Sequence, residues 1–507
     1  MSLSIVHTRA ALGVNAPPIT VEVHISKGLP GLTMVGLPET TVKEARDRVR
    51  SAIINSGYEY PAKKITINLA PADLPKEGGR YDLPIAIALL AASEQLTANK
   101  LDEYELVGEL ALTGALRGVP GAISSATEAI KSGRKIIVAK DNEDEVGLIN
   151  GEGCLIADHL QAVCAFLEGK HALERPKPTD AVSRALQHDL SDVVGQEQGK
   201  RGLEITAAGG HNLLLIGPPG TGKTMLASRI NGLLPDLSNE EALESAAILS
   251  LVNAESVQKQ WRQRPFRSPH HSASLTAMVG GGAIPGPGEI SLAHNGVLFL
   301  DELPEFSRQS MESLRQPLED GRVTISRVSA SLSYPCAFML AAAMNPCPCG
   351  YFGHPTRACT CTPVQQRQSL SRISGPLLDR VDLHVEVPPV DFQQLASKQP
   401  GESSAVIRGR VNAARLVQRR RFAGTGISSN ARIPAGKLRE FCPLTDDARR
   451  LLQNAFERMG LSARAYDRLL KVARTIADLE GGDRLEAAHV AEAVQYRSLD
   501  RKYWQAR

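Results

Sequence analysis

A glycine-rich stretch near the middle of the chain has the residue types of a phosphate-binding loop. Residues 217–224 fit the pattern G-x-x-x-x-G-K-[ST] at every position. The apolar run 212–216 has the length of a strand and residues 225–230 are typical of a helix, which is the context that the pattern requires. Backbone N–H groups of such a loop and the N-terminus of the next helix attract phosphate oxygens. The residues predicted to bind a nucleoside triphosphate are Gly217, Pro218, Pro219, Gly220, Thr221, Gly222, Lys223 and Thr224.

Two acids after a later apolar strand can supply the rest of ATP hydrolysis. In the loop pattern, the Lys223 ammonium reaches the β- and γ-phosphates and the Thr224 hydroxyl binds Mg²⁺. Residues 296–302 are an apolar strand that ends in Asp301 and Glu302. Asp301 can hold Mg²⁺ beside Thr224, and Glu302 can activate the attacking water. This acidic pair is a weak motif alone, but at this distance after a phosphate loop it predicts ATP and Mg²⁺ as cofactors.

Composition narrows the class of protein. A chain of 507 residues is expected to hold about three domains. Hydrophobic residues at 42% and charged residues at 22% are ordinary for a globular protein, and a net charge of +3 excludes a bulk polycation that grips nucleic acid. The N-terminus lacks the shape of a signal peptide, and the apolar run 85–92 is far too short to span a bilayer. We therefore expect a cytoplasmic protein without a membrane partner.

Four of the eight cysteines crowd into one short segment. In a long chain without a signal peptide, this favours metal or redox use over a disulfide framework. Two C-x-C pairs that flank a turn-rich loop could hold Zn²⁺ with four thiolates, in a structural rather than a catalytic site. Their spacing departs from the usual C-x₂₋₄-C, so four reduced cysteines or an occasional disulfide remain the alternatives. The candidate zinc ligands are Cys347, Cys349, Cys359 and Cys361.

Three long stretches resemble the magnesium-chelatase-like AAA+ family. They are residues 264–273, 280–290 and 293–306. Together with the N-terminal and C-terminal segments, they make nearly the whole chain similar to the ComM/YifB family of competence proteins within that group. The resemblance implies a homo-hexameric, ATP-driven DNA motor. Such a motor promotes branch migration during natural transformation and acts on single-stranded and branched DNA.

The same resemblance assigns roles to further residues. Asn345 follows a buried strand at the position of the first sensor, which orients water against the γ-phosphate. Arg380 lies in an L-L-D-R segment that resembles an arginine finger presented to a neighbouring subunit, with Arg372 as the second choice. Arg464 at a helix start resembles the second sensor, which contacts the nucleotide in its own subunit, with Arg468 as its neighbour. The residues that could contact DNA phosphates are Arg327 on a pore hairpin, Arg264 and Arg267.

The N-terminal third resembles the Lon-protease-like form of the ribosomal S5 domain 2 fold. The resemblance rests on residues 69–84 and 107–114. Lon proteases use a Ser–Lys dyad, but Arg80 stands at the serine position, and Ser124 and Ser125 stand where the lysine should follow. We therefore expect a non-proteolytic domain.

The predicted fold class is a multidomain α/β protein. Residues 1–170 form the Lon-like α+β domain, and 171–190 form a linker. Residues 191–395 form an AAA+ core with a parallel sheet, and 396–507 form a helical lid. Two other functions remain open: a chelatase-like ATPase that remodels a protein partner, and an ATP-dependent protease. The Lon-like domain counts against the first, because the chelatase motor subunit is expected to lack it, and Arg80 counts against the second.

Overall fold

Two β-sheets and a C-terminal group of helices organise the chain in the computed structural model. The structure describes residues 2–36, 40–76, 78–97, 100–149, 153–178, 188–253, 255–282, 285–326, 331–390 and 401–505. The predicted α/β class with a parallel sheet is confirmed.

The N-terminal sheet has seven strands in the order β3-β4-β2-β1-β5-β8-β9 and is mixed. Strand β2 pairs antiparallel with β1 and β4, whereas β5, β8 and β9 run parallel. The apolar side chains that alternate along β2, from Ile19 to Ile25, are buried, as the sequence predicted. The strands of this part are β1 (Ser2–Arg9), β2 (Pro18–Ser26), β3 (Gly31–Val35), β4 (Lys64–Ala70), β5 (Tyr104–Val107), β6 (Glu109–Leu110), β7 (Leu116–Arg117), β8 (Lys135–Ala139) and β9 (Cys154–Ala157). The longer helices are Thr40–Asn55, Asp82–Ala92, Ala122–Lys131 and Leu160–Leu167.

The central sheet is parallel and has five strands in the order β11-β14-β17-β10-β18. Its inner strands are almost wholly buried, so they read as continuous apolar runs rather than alternating ones. The strands are β10 (Leu213–Ile216), β11 (Phe266–Arg267), β12 (Gly280–Gly281), β13 (Gly286–Pro287), β14 (Val297–Leu300), β15 (Arg322–Ser326), β16 (Ser331–Pro335), β17 (Met339–Met344) and β18 (Leu383–Glu386), of which β12–β13 and β15–β16 form separate hairpins. The longer helices are Glu197–Gly209, Lys223–Leu233, Asn239–Ser250 and Pro363–Ser371.

The C-terminal part is helical and packs on the central sheet. Its longer helices are Ser404–Arg421, Asp446–Met459, Ala463–Glu480 and Ala487–Gln495. The side chains of Thr445 and Ser462 cap two of them by accepting hydrogen bonds from backbone N–H groups. One hydrophobic core joins these helices to strands β10 and β18, so the helices cannot move far without disturbing the sheet.

Arg80 stands where the Lon-like resemblance places the nucleophilic serine of a protease. Its guanidinium is buried and donates to the Pro120 carbonyl oxygen at 2.5 Å. Ser124 and Ser125 are also buried, in the helix that begins at Ala122. Ile123, the second residue of the same helix, packs against residues of the helix Asn239–Ser250 in the central part of the chain. The face where a Lon protease would present its dyad therefore adjoins the nucleotide-binding half.

Within the described residues, no helix is long and apolar enough to cross a membrane.

Candidate nucleotide-hydrolysis site

The phosphate loop joins the buried end of β10 to the helix Lys223–Leu233. Gly220 and Gly222 have φ values of 79° and 89°, which favour glycine and turn the backbone toward the helix N-terminus. Gly217 approaches the neighbouring backbone closely, because a Cβ there would lie 2.2 Å from the Val387 carbonyl oxygen. The loop therefore has the shape that lets backbone N–H groups surround phosphate oxygens.

The Lys223 ammonium is buried at the loop. It donates to the carbonyl oxygens of Gly217 at 2.9 Å and Pro218 at 2.8 Å, and to Asn345 Oδ1 at 3.1 Å. Burial lowers the pKa of Lys223, and the nearby carboxylates of Asp301 and Glu302 oppose that shift. Asn345 follows directly after β17, so the candidate first sensor and the loop lysine are in direct contact.

Thr224, in the first turn of the helix Lys223–Leu233, contacts Asp301, which directly follows β14. The Thr224 hydroxyl donates to Asp301 Oδ2 at 2.6 Å, although the two residues are 77 positions apart in the chain. The parallel strands β10, β17 and β14 bring this about, because their carboxyl ends share one edge of the sheet. A hydroxyl and a carboxylate are oxygen ligands of the kind that Mg²⁺ prefers, so these two residues fit the metal of an ATP complex.

Glu302 stands at the mouth of the site. Its side chain is 56% exposed, and its backbone has a φ of 52°, an uncommon conformation for a residue other than glycine. The His271 ring lies beside it, with Nδ1 3.6 Å from Glu302 Oε2. His271 was quoted in the sequence only as part of a family-like stretch, without a role. Its position after β11, the strand beside β14, places it there.

Gln196 is a second residue that sequence reasoning missed. Its amide donates to the carbonyl oxygens of Thr221 in the phosphate loop at 3.1 Å and of Pro388 at 2.7 Å. It precedes the helix Glu197–Gly209 with a left-handed φ of 57°, next to Gly195 at 63°. A glycine followed by a polar residue just before a helix was the available signal. Gln196 ties the phosphate loop to the chain that follows β18.

Arg380 and Arg464 lie together, away from the phosphate loop. Both line a cleft with Glu319, and Arg380 forms an ion pair with that acid. The Arg380 carbonyl oxygen accepts a hydrogen bond from the side chain of Asn212 at 2.8 Å. Asn212 precedes β10, whereas the loop follows it. A four-residue strand spans about 13 Å, so the two arginines lie at the opposite end of β10 from Lys223.

This placement corrects one sequence-based expectation. Arg464 was expected to contact the nucleotide of its own subunit, but in this structure it shares the Arg380 cleft instead. The reason is the packing of the helix Ala463–Glu480, whose residue Arg468 pairs with Asp382 at the start of β18. The helix is thereby fixed to the amino ends of the strands, while phosphate binds at their carboxyl ends.

Asp382 fixes this end of the sheet. Burial favours a higher pKa, but the Arg468 guanidinium, His211 and the Asn212 N–H outweigh it and hold the pKa of Asp382 well below its usual range. Asp382 Oδ2 accepts from the Asn212 N–H at 2.8 Å. The carboxylate is therefore a charged structural anchor between the last helices and β10.

The other basic candidates are engaged in contacts within the chain. Arg264 donates to the carbonyl oxygens of Pro235 and Asn295, both at 2.7 Å, and Arg267 holds both carboxylate oxygens of Glu289 at 2.6 Å. Both guanidiniums are engaged within the chain, and their contact with DNA phosphates stays a prediction. Arg372 pairs with Glu305 at 3.0 Å, and Arg327 lies outside the described residues.

The four cysteines form one compact cluster. Their Sγ atoms all lie within 4.8 Å of one another, and none is in a disulfide. The Sγ of Cys347 is 3.4 Å from that of Cys349 and 3.7 Å from that of Cys359. The cluster begins two residues after Asn345. Four thiols in this arrangement are compatible with a zinc site.

Comparison with known proteins follows the same division of the chain. The family model described as magnesium chelatase, subunit ChlI, matches residues 189–395. Models for subunit ChlI of Mg-chelatase and for its C-terminal part match residues 21–142 and 401–497. A protein of Escherichia coli named YifB is 77% identical over 504 residues, with 99% of this chain and 98% of that protein covered. The competence protein ComM of Haemophilus influenzae is 52% identical over 510 residues, with the same coverage.

The chain belongs to the ComM/YifB family of magnesium-chelatase-like AAA+ proteins. Lon protease 2 of Bacillus subtilis is more distant, at 27% identity over 180 residues that cover 32% of each chain. The match of a ChlI model to residues 21–142 overturns one argument from the sequence. That argument was that the N-terminal region counts against a chelatase-like role, because the chelatase subunit was expected to lack this region.

Proposed function

We propose that the chain is the ATP-hydrolysing subunit of a homo-hexameric DNA motor that promotes branch migration of recombination intermediates. The observation that supports ATP hydrolysis best is the contact between Thr224 and Asp301 beside Lys223. Two chain segments far apart in sequence converge there with the residue types of Mg²⁺-dependent phosphoryl transfer, and Asn345 of a third contacts Lys223. Membership of an AAA+ family supports the same activity.

Each residue of the site has a chemical task in this proposal. Lys223 and the loop N–H groups bind the β- and γ-phosphates, and Thr224 with Asp301 would hold Mg²⁺, which neutralises charge on the phosphate oxygens. Glu302 takes a proton from the attacking water, and Asn345 positions that water against the γ-phosphate. A structural Zn²⁺ in the cysteine cluster is the third cofactor that we propose.

The positions of Arg380 and Arg464 are the basis for proposing a ring. Both lie at the end of the sheet opposite their own phosphate loop, so neither can reach the nucleotide bound there. The cleft is lined by three arginines and a lysine together with Glu319, Asp379 and Asp467, and its basic side chains are suited to a γ-phosphate presented by another copy of the chain. Head-to-tail contacts of this kind close into cyclic assemblies, and the family resemblance indicates six subunits.

The remaining domain assignments belong to the same proposal. Residues 191–395 are the AAA+ core, and the helices within 396–507 are its lid. Residues 1–170 are an S5 domain 2-type, non-proteolytic domain, joined to the core by residues 171–190. Burial of Arg80 at the nucleophile position supports the absence of protease chemistry.

Single-stranded and branched DNA are the proposed substrates. Two observations support them: a 52%-identical relative is a competence protein, and the β15–β16 hairpin leads directly into β17, which carries Asn345 at its end. A hairpin so connected can move when Asn345 responds to the γ-phosphate. The proposal places its tip, with Arg327, against DNA in the ring's pore.

The experiment compares wild type with Lys223→Ala and Glu302→Gln. We expect ATP hydrolysis that DNA stimulates and movement of a synthetic four-way junction by wild type. Lys223→Ala should lose ATP binding, whereas Glu302→Gln should bind ATP and assemble without turnover. Wild type that hydrolyses ATP but neither binds single-stranded DNA nor moves the junction would refute the motor.

A second function keeps support from the family models. All three describe the magnesium-chelatase subunit ChlI and together cover most of the chain. The alternative is an ATPase that remodels a protein partner. An ATPase rate that responds to a protein partner and ignores every DNA form would favour it over the DNA motor.

A further inference from the structure

We infer that the cysteine cluster is a zinc-dependent brace of the nucleotide site: Zn²⁺ held by Cys347, Cys349, Cys359 and Cys361 fixes the phosphate loop and Asn345 against the C-terminal segment 502–504. The effect of this brace on nucleotide binding rests on the proposed ATPase function. The metal site itself rests only on the cysteines and their surroundings.

The sulfur positions fit a single tetrahedral ion. With Zn–S bonds of about 2.3 Å, neighbouring sulfurs of a tetrahedral site are about 3.8 Å apart. The Sγ–Sγ separations of 3.4 Å, 3.7 Å and 3.5 Å among Cys347, Cys349 and Cys359 lie just below that value. A disulfide would need about 2.0 Å. The four sulfurs therefore enclose space for one ion and no disulfide.

N–H groups surround the cluster and point at the sulfurs. The Cys349 N–H donates to Cys361 Sγ at 3.3 Å, and the Gln366 amide donates to Cys359 Sγ at 3.4 Å. Donors of this kind are the outer shell that orients metal-bound thiolates. Neutral thiols are weak acceptors and would gain little from them.

The cluster touches the phosphate loop directly. Gly350 lies inside it with a φ of 83°, and a Cβ there would be 2.5 Å from Pro219 Cδ. On the other side, Cys347 is two residues from Asn345, which holds the Lys223 ammonium. Displacement of the turn would therefore shift Pro219 and Asn345 together.

The opposite face of the turn contacts the end of the chain. The Phe352 ring meets the Tyr503 ring edge-on, with centroids 6.1 Å apart. Lys502 approaches Gly353 and pairs with Glu386, which is in register with Ile216 at the last position of β10. The turn is thus placed between the phosphate loop and a segment anchored to the neighbouring strand.

Hydrophobic burial contributes little to holding this turn in place. None of the residues 351–362 is buried, and Phe352 packs against the core from a partly exposed position, so the segment makes no core of its own. Short segments without a core need a disulfide, a metal or another cross-link to keep one conformation. The cysteine cluster is the cross-link that the described part of this segment offers. A tetrahedral set of four thiolates suits zinc or iron, and zinc is the ion of closed structural sites.

The test uses the full-length protein and measures metal and nucleotide separately. Zinc per chain is measured by atomic emission, and Co²⁺ exchange is followed by its visible thiolate absorption. Affinity is measured with a fluorescent ATP analogue. The variants are Cys359→Ser and Cys361→Ser, with Cys164→Ala, a buried cysteine of the N-terminal sheet, as the matched control. Wild type stripped with a chelator and then refilled with Zn²⁺ gives the same comparison without a substitution.

We expect about one zinc per chain in wild type and in Cys164→Ala, and its loss in both serine variants. Loss of zinc should weaken nucleotide binding about tenfold or more, and refilling stripped wild type should restore it. Purified wild type without zinc, or with a Cys347–Cys359 disulfide, would overturn the metal site. Equal nucleotide affinity with and without zinc would overturn the brace. Wild type that holds zinc but hydrolyses no ATP would refute the proposed function and leave the metal site standing.

Discussion

Replacement of Arg380 by alanine tests whether a nucleotide site is completed by a neighbouring subunit. Arg380 lies about 13 Å or more from its own phosphate loop, because β10 separates them. An arginine that stabilises the transferring phosphoryl group from outside contributes about 10³–10⁵ in turnover. We therefore expect Arg380→Ala to bind ATP normally and to lose at least about a thousandfold in kcat.

The decisive assay mixes Arg380→Ala with Lys223→Ala. The first variant supplies intact loops and the second supplies intact arginines, so complete sites arise only where the two subunits adjoin. With random assembly at equal amounts, about a quarter of the interfaces combine one good loop with one good arginine. We expect ATPase activity near that fraction of wild type, from two proteins that are each inactive.

The control for this prediction is Glu319→Gln. Glu319 is the ion-pair partner of Arg380 and its side chain is 57% exposed, so removal of its charge should cost little stability. The variant keeps Arg380 and should keep its ATPase activity. Full activity of Arg380→Ala alone would refute the reasoning, as would a co-assembled mixture that stays at background.

Three further results are expected. Thr224→Ala should lower ATPase activity about a hundredfold, while Thr224→Ser, which retains the hydroxyl, should keep most of it; similar rates for both would contradict a metal role. His271→Ala should lower kcat about two- to tenfold with KM unchanged, since His271 Nδ1 lies 3.6 Å from Glu302 Oε2 and is placed to orient that carboxylate. A change in KM alone would argue against this role. Asp382→Asn should destabilise the protein by about 3 kcal/mol at pH 7 in thermal melts, because Arg468 loses its partner. Since the folded-state pKa of Asp382 is lowered, its stabilisation is present above about pH 4 and is lost as the pH falls further, so the two melting temperatures should converge there.

Sequence reasoning located the candidate site residues that follow strands, because the positions of these residues depend on local sequence pattern. A buried apolar run followed by a polar residue marks the carboxyl end of a parallel strand. Asp301, Asn345 and the loop at Gly217 all have that mark, so their convergence follows from the sheet alone. The cysteine cluster could also be predicted from local pattern, because its members lie within 15 positions of one another.

Residues whose place depends on packing between distant segments could not be located in this way. Arg464 has the same local features in either arrangement: a capped helix start and an amphipathic face. Its position is decided by Arg468 and Asp382, which join segments 86 positions apart. His271 and Gln196 were missed because they act on Glu302 and Thr221 through contacts that no spacing rule reports.

The phosphate loop and the Arg380 cleft lie at opposite ends of β10, and this separation has a mechanical consequence. In the proposed function, nucleotide at Lys223 would be sensed at the carboxyl ends of the strands, whereas the helix that carries Arg464 and Arg468 is fixed at the amino ends through Asp382. The sheet between them is buried and closely packed, and such interiors transmit displacement rather than absorb it. If the γ-phosphate of a neighbouring subunit binds the arginine cleft, each subunit contacts nucleotide at both ends of one rigid sheet: its own at the phosphate loop and the neighbour's at the cleft. Hydrolysis in one site would then change the orientation of the next subunit, which is the coupling that a sequential motor needs.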